Sequence, residues 1–165
     1  MTGQSRIIGG VSAETVRVVE EIQRALSGDD VVVALNDEGN QTVRRLFMEL
    51  AEPEFEVVMV GPGYSSARLE EAGLDGFVAA WRDWTSAFKS FRIEVDEMVD
   101  AGDNVVSLVR QIGIPKGAHA EIETQGAAVW MIRGGRLRRV EFHLDRSAAL
   151  RAAGIDPGSS PRPDS

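Results

Sequence analysis

The residues able to carry chemistry in this chain are few, and the stretch RGGRLRRVEFHLDRSAALRAAG (133–154) holds the first candidates, His143 and Asp145. A histidine two residues from an aspartate raises the question of an imidazole base oriented by a carboxylate. Strand alternation puts both on one face with Glu141 and Arg139, opposite Val140, Phe142 and Leu144. With the apolar set inward, His143 is expected to point outward among a ladder of charges, toward solvent or a partner copy, and to do no catalysis. Nothing nearby resembles a nucleophile elbow, so a Ser-His-Asp triad is not expected. His119 and His143 are the two histidines, without metal-ligand spacing, and the chain has no cysteine. No metal site and no cofactor are expected. Gly61-Pro62-Gly63 lacks the lysine and helix start of a phosphate loop, and Gly134-Gly135 reads as a hairpin turn.

Arg110 is the second candidate. It alternates in phase with Val106, Leu108, Ile112 and Ile114, so it is either a buried cation fixing a carboxylate or ligand, or a long side chain reaching the rim. Glu123 could satisfy it. The strand after it is expected to turn Ala127, Val129 and Met131 inward, with Glu123 and Gln125 behind them, making Arg110 with Glu123 or Gln125 the best polar constellation. Tyr64, on the loop after Gly61-Pro62-Gly63, could make an aromatic mouth for an apolar ligand with Trp81 and Trp84, and Phe142 is a further candidate for the lining. Trp81 and Trp84 recur at helical spacing with Phe77 and Phe88, which also suits plain core.

These side chains need elements to position them. Ser12 is a good N-cap for a helix carrying Val16, Val19, Ile22 and Leu26. A short helix is expected over Asp30 to Leu35 and another from Asn40, with Val43, Leu46, Phe47 and Leu50 on one face, closed by Pro53. Phe55, Val57 and Met59 mark a strand, GPGYSSARLEEAG an irregular loop, and Leu74 to Phe88 a helix with an aromatic core side. From Phe91 the apolar period becomes two: Phe91-Ile93-Val95, Val106-Leu108, His119 to Arg133, and Val140-Phe142-Leu144, joined by short turns that suit an antiparallel meander. Helices followed by such a sheet predict an α+β domain, a curved antiparallel sheet curled into a cone-shaped barrel with the N-terminal helices covering its concave face. Residues 1–12 are expected to be a flexible N-terminus, 13–153 the domain and 154–165 a disordered tail.

The 165 residues suffice for one domain with its own core. A net charge of −8 repels phosphate backbones and anionic lipid. Arg133, Arg136, Arg138 and Arg139 cluster around a turn and read as a solvated face, so neither nucleic acid nor membrane is expected as a partner. No apolar run approaches the roughly 20 residues of a membrane span, and MTGQSRIIGG lacks the apolar stretch of a signal peptide; a cytoplasmic location is the expectation.

The stretches VRVVEEIQRALSGDD, LDGFVAAWRDW, FRIEVDEMVDAGDNVVSLVRQIG and AAVWMIRGGRLRRVEFHLDRSAALRAAGI resemble the nuclear transport factor 2-like superfamily in its SnoaL-like branch, over most of residues 13 to 155. The resemblance implies the cone-shaped fold and a homodimer through the outer sheet face, but no single activity. A ketosteroid isomerase mechanism needs a carboxylate base, a Tyr and a neutral acid. The matching positions hold Gly61 or its neighbours, Ile22 or Glu21, and Ala127, so that mechanism is not expected unless the loop after Gly61 brings in an acid from Glu70 or Glu71. Three readings stay open. The first is a domain binding a small apolar or amphipathic ligand through Tyr64, Trp81, Arg110, Gln125, Ala127 and Phe142. The second is an enzyme of polyketide cyclase, isomerase or hydratase type, with Glu123 as base and Arg110 stabilising an oxyanion. The third is a homodimeric interaction module whose sheet face carries Trp130 and His143.

Overall fold

A computed structural model describes residues 4–6, 13–26, 37–60, 68–100 and 104–155. The chain runs β1 (Gln4–Arg6), α1 (Ala13–Leu26), α2 (Asp37–Leu50), β2 (Ala51–Val60), β3 (Arg68–Ala72), α3 (Gly73–Thr85), β4 (Phe88–Asp100), β5 (Asn104–Pro115), β6 (Ile122–Arg133), β7 (Arg136–His143) and α4 (Arg146–Ala152). This is the expected α+β fold, with one curved sheet in the order β1-β4-β5-β6-β7-β2-β3. β4 to β7 form the antiparallel meander, whose β6–β7 turn uses Gly134 and Gly135 at φ 63° and 80°. Two pairings make the sheet mixed: β2 lies parallel to β7, and β1 lies parallel to β4. β1 falls within the stretch expected to be a flexible N-terminus. The sheet does not close, since its order runs from β1 to β3 without a return pairing.

Several boundaries differ from the sequence expectation. α2 begins at Asp37 and ends at Leu50, and Pro53 lies inside β2 rather than behind a helix. Proline is tolerated there because the β2–β7 ladder is interrupted between Ala51 and Glu56, where no amide is required. Residues 68–72, expected as loop, form β3 along β2 from Glu56 to Val60. α3 stops at Thr85 and Phe88 opens β4, so Phe88 reaches the core from the sheet. The turn from β3 into α3 depends on Gly73, which has φ +70° and would place a Cβ 2.8 Å from the Pro53 carbonyl oxygen. Ser12, Asp30–Leu35, Tyr64 and residues 156–165 lie outside the described residues.

The sheet is apolar on both faces. Its inner face, with Phe55, Val57, Met59, Phe91, Ile93, Val109, Ala128, Trp130, Val140 and Phe142, packs against Val18, Val19 and Ile22 of α1, Phe47 of α2, and Phe77 and Trp81 of α3. Its outer face buries Val99, Val106, Ala127 and Val129 beneath Ala149 and Ala153 at the C-terminus. Asp145 caps α4, its carboxylate accepting from the amides of Ser147 (2.9 Å) and Ala148 (3.4 Å). Asp145 is therefore a helix cap and not the partner of His143. No helix among the described residues is long and apolar enough to cross a membrane.

Candidate functional site

Between the inner face and the helices lies a cavity of about 50 Å³ within a cleft of about 600 Å³ that runs out to solvent. α1 contributes Gln23, α3 contributes Trp81 and Trp84, and the sheet supplies Ile93, Val109, Gln111, Ala128, Trp130 and Phe142. Phe142 is the hub of its aromatic wall. It meets the Trp81 ring edge-on at 5.0 Å and the Trp130 ring at 6.0 Å, both tilted near the perpendicular that ring quadrupoles favour. Trp130 is anchored by its indole N–H donating to Ser107 Oγ at 2.9 Å.

The polar groups of this wall are of two kinds. Trp84 Nε1 donates to Gln111 Oε1 at 2.9 Å, which sets the carboxamide's orientation and leaves Nε2 as its donor. That amide fits because position 126 is glycine: a Cβ there would stand 2.6 Å from Gln111 Nε2 and 3.1 Å from the His143 carbonyl oxygen. By contrast, Gln23 Oε1 and Trp81 Nε1 are buried without a hydrogen-bond partner among the described residues. Both residues line the cavity.

His143 also reaches the lining, but its imidazole belongs to the other face. Its register partner is Ala127, an outer-face residue, and its Nε2 lies 3.0 Å from Glu141 Oε1. The expected alternation therefore holds, yet His143 is 7% exposed and is not presented to solvent. Glu141 also accepts from Arg139 at 2.6 Å, and Arg139 reaches Glu56 at 3.1 Å. The hydrogen bond from His143 leads the effects on the Glu141 carboxyl and, with that from Arg139, overcomes burial and holds it down to about 2.

The inward set of β6 is the reverse of the sequence expectation. Ala128, Trp130 and Ile132 face the helices, while Ala127 and Val129 face outward. Ala127 borders the cavity, but its side chain packs in the outer cluster. Trp130, expected on an exposed interaction face, is 2% exposed in the core. Arg110 goes outward with its phase-mates and is absent from the cavity wall. It donates to Asp96 and Glu94 at 2.8 Å each and lies 3.7 Å from Glu123. Arg146 also donates to Asp96, at 2.7 Å. Burial pushes the Asp96 carboxyl up, but the two guanidinium partners outweigh it and hold it below the usual carboxylate range. Arg110 and Glu123 thus meet on the outer face, with Gln125 exposed beside them, across the sheet from the cavity. Of the expected pocket residues, Trp81, Phe142 and Ala127 come together at the cavity.

Sequence reasoning passed over Gln23 and Gln111 and set Trp130 on an exposed face, whereas Trp84, weighed there for an aromatic mouth, does line the cavity. Two signals were available. Gln23 sits four residues after Val19 on the apolar stripe of α1, and Gly126 interrupts a strand where only a close approach rewards glycine. Among the described residues no three His, Asp or Glu side chains cluster as metal ligands do.

Residues 45–140 match the family model of the SnoaL-like domain. The chain belongs to this SnoaL-like family, within the nuclear transport factor 2-like superfamily. A search of curated proteins finds no match. A nuclear transport factor 2-like protein of unknown function from Burkholderia pseudomallei superposes with TM-score 0.61 at 17% identity, covering 85% of this chain and 97% of that one. A candidate polyketide cyclase from Bacillus cereus gives TM-score 0.61 at 12% identity over 94% and 93% of the two chains. A candidate SnoaL-like polyketide cyclase from Jannaschia gives 0.56 at 18% identity over 91% and 100%. At such identities the likeness is one of fold.

Proposed function

We propose that this SnoaL-like domain binds a small, largely apolar molecule between its sheet and its helices. The observation that carries the reading is the cavity itself, walled by Met59, Trp81, Ile93, Val109, Ala128, Trp130 and Phe142 and interrupted by a few neutral polar groups. Ligand sites of this kind gain affinity from apolar contact and orientation from sparse hydrogen bonds. The polyketide cyclase names of two structural neighbours make cyclic, carbon-rich compounds the first class to offer. The polar groups on the wall suit recognition, whereas the acid–base pair Glu123 and Arg110 lies on the other face.

Native mass spectrometry of the purified protein, followed by a denatured run, tests for a co-purifying molecule. Titration with 2-naphthol tests an empty cavity, with quenching of Trp81, Trp84 and Trp130 as the signal. The expected result is a one-to-one adduct or saturable quenching, abolished in Ala128→Leu, whose longer side chain enters the space beside Trp130. An empty protein that binds no 2-naphthol, or an Ala128→Leu variant that binds as the parent does, would overturn the reading.

A further inference from the structure

The cavity wall carries more polar capacity than it uses. A buried polar atom without a partner costs about 1–3 kcal/mol, and native proteins keep few of them. Gln23 Oε1 and Trp81 Nε1 are two such atoms among the described residues, and both residues line one cavity. Gln23 is 8% and Trp81 5% exposed, so bulk water does not satisfy them. A third group is held ready by different means: Gln111 Oε1 is committed to Trp84, which leaves Gln111 Nε2 as a donor against the open position of Gly126. The residues that line the cavity thus hold one unpaired amide acceptor, Gln23 Oε1, two N–H donors, Trp81 Nε1 and Gln111 Nε2, and the unpaired ring nitrogen His143 Nδ1.

The charge of this wall is also informative. Its described lining is apolar or amide and indole in character, with His143 turned to Glu141 on the outer face. Arg110, the cation that could have met an anionic ligand, is engaged by Glu94 and Asp96 across the sheet. A carboxylate or ammonium brought into such a site would be desolvated without a counter-charge, which costs far more than a neutral head group does.

We propose that the cavity selects a neutral amphipathic molecule whose polar end carries a carbonyl acceptor beside an N–H or O–H donor, a carboxamide or lactam being the simplest class. Trp81 Nε1 and Gln111 Nε2 donate to the carbonyl, and Gln23 Oε1 accepts from the ligand's N–H. This rests on the proposal that the cavity binds a small molecule at all, and the experiment separates the two. The wild-type protein is titrated calorimetrically with four compounds sharing one aromatic body: 2-naphthamide, N,N-dimethyl-2-naphthamide, methyl 2-naphthoate and 2-naphthoate. The primary amide is expected to bind at least about tenfold more tightly than each of the others, the ratio for one well-made hydrogen bond. Equal affinities for all four would overturn the head-group assignment while the binding reading stands. Preference for 2-naphthoate would overturn the neutrality of the site, and no binding by any of the four would overturn both proposals.

Two variants add a readout that a structural role would not move. Gln23→Leu and Trp81→Phe each remove an unpaired buried polar atom, so the free protein is expected to keep or gain thermal stability in Gln23→Leu even as the amide preference falls to within about threefold. Trp81→Phe removes a donor to the carbonyl that the amide and the methyl ester share, so both should weaken several-fold together while the preference between them remains. An amide preference that survives Gln23→Leu, or amide and ester affinities that are unchanged in Trp81→Phe, would overturn the proposal.

Discussion

Replacing Glu141 with glutamine tests the electrostatics of the outer face without changing its shape. Glu141 is 18% exposed and lies between Arg139 at 2.6 Å and His143 at 3.0 Å. Its carboxyl is held from the ordinary 4.5 down to about 2, by the His143 hydrogen bond first and by Arg139, against the opposing effect of burial. A carboxyl that ionises more readily in the folded than in the unfolded chain stabilises the fold fully above pH 4.5. The contribution drains away as pH falls from there to about 2, where both states are protonated. The separation is worth about 3 kcal/mol, or roughly 6–12 °C in Tm for a domain of this size. Urea and thermal unfolding, followed by circular dichroism from pH 2.5 to 7, compare Glu141→Gln with the parent. The expected result is a deficit near pH 7 that narrows steadily below pH 4.5. Two parallel profiles separated by a constant offset would refute the reasoning, as would a variant as stable as the parent at neutral pH.

Two further substitutions probe packing near the cavity. Gly113→Ala would set a Cβ 2.6 Å from Phe88 Cδ1 and 3.1 Å from Phe91 Cδ2, rings already packed edge to face at 5.1 Å, so a loss of about 1–3 kcal/mol is expected. An unchanged midpoint in urea would contradict it. Ser107→Ala strips the indole of Trp130 of its 2.9 Å partner in the core and should cost about 1–3 kcal/mol, read by the same titration.

Much of the fold was legible in the sequence because it rests on local periods. The Val16, Val19 and Ile22 stripe of α1, the alternation from Phe91 to Leu144 and the Gly134-Gly135 turn each act over a few residues, and the structure holds the corresponding elements. The errors fall where a long-range contact overrules a local signal. Pro53 reads as a helix stop, yet it is accommodated in a strand because the β2–β7 ladder is interrupted beside it. Residues 68–72 carry no apolar alternation and become a strand by pairing with β2. Phe88 continues the helical spacing of Phe77, Trp81 and Trp84, but pairing with Pro115 draws it into β4.

The candidate site divides in the same way. Alternation alone establishes that Ala127 and Val129 share a face, that Trp130 shares the opposite one with Ala128, and that Glu141 and His143 go together. It is silent on which face turns inward when both are apolar. Ala127 and Val129 look as fit for a core as Ala128 and Trp130, and they do have a core, the small one under Ala149 and Ala153. Only the packing of α1, α2 and α3 against the Trp130 side decides that this side encloses the cavity. The same packing places Arg110 among carboxylates on the outer face and leaves Gln23 and Trp81 unpaired within. Parity is a property of the chain, whereas the side that faces the helices depends on contacts between residues far apart in sequence.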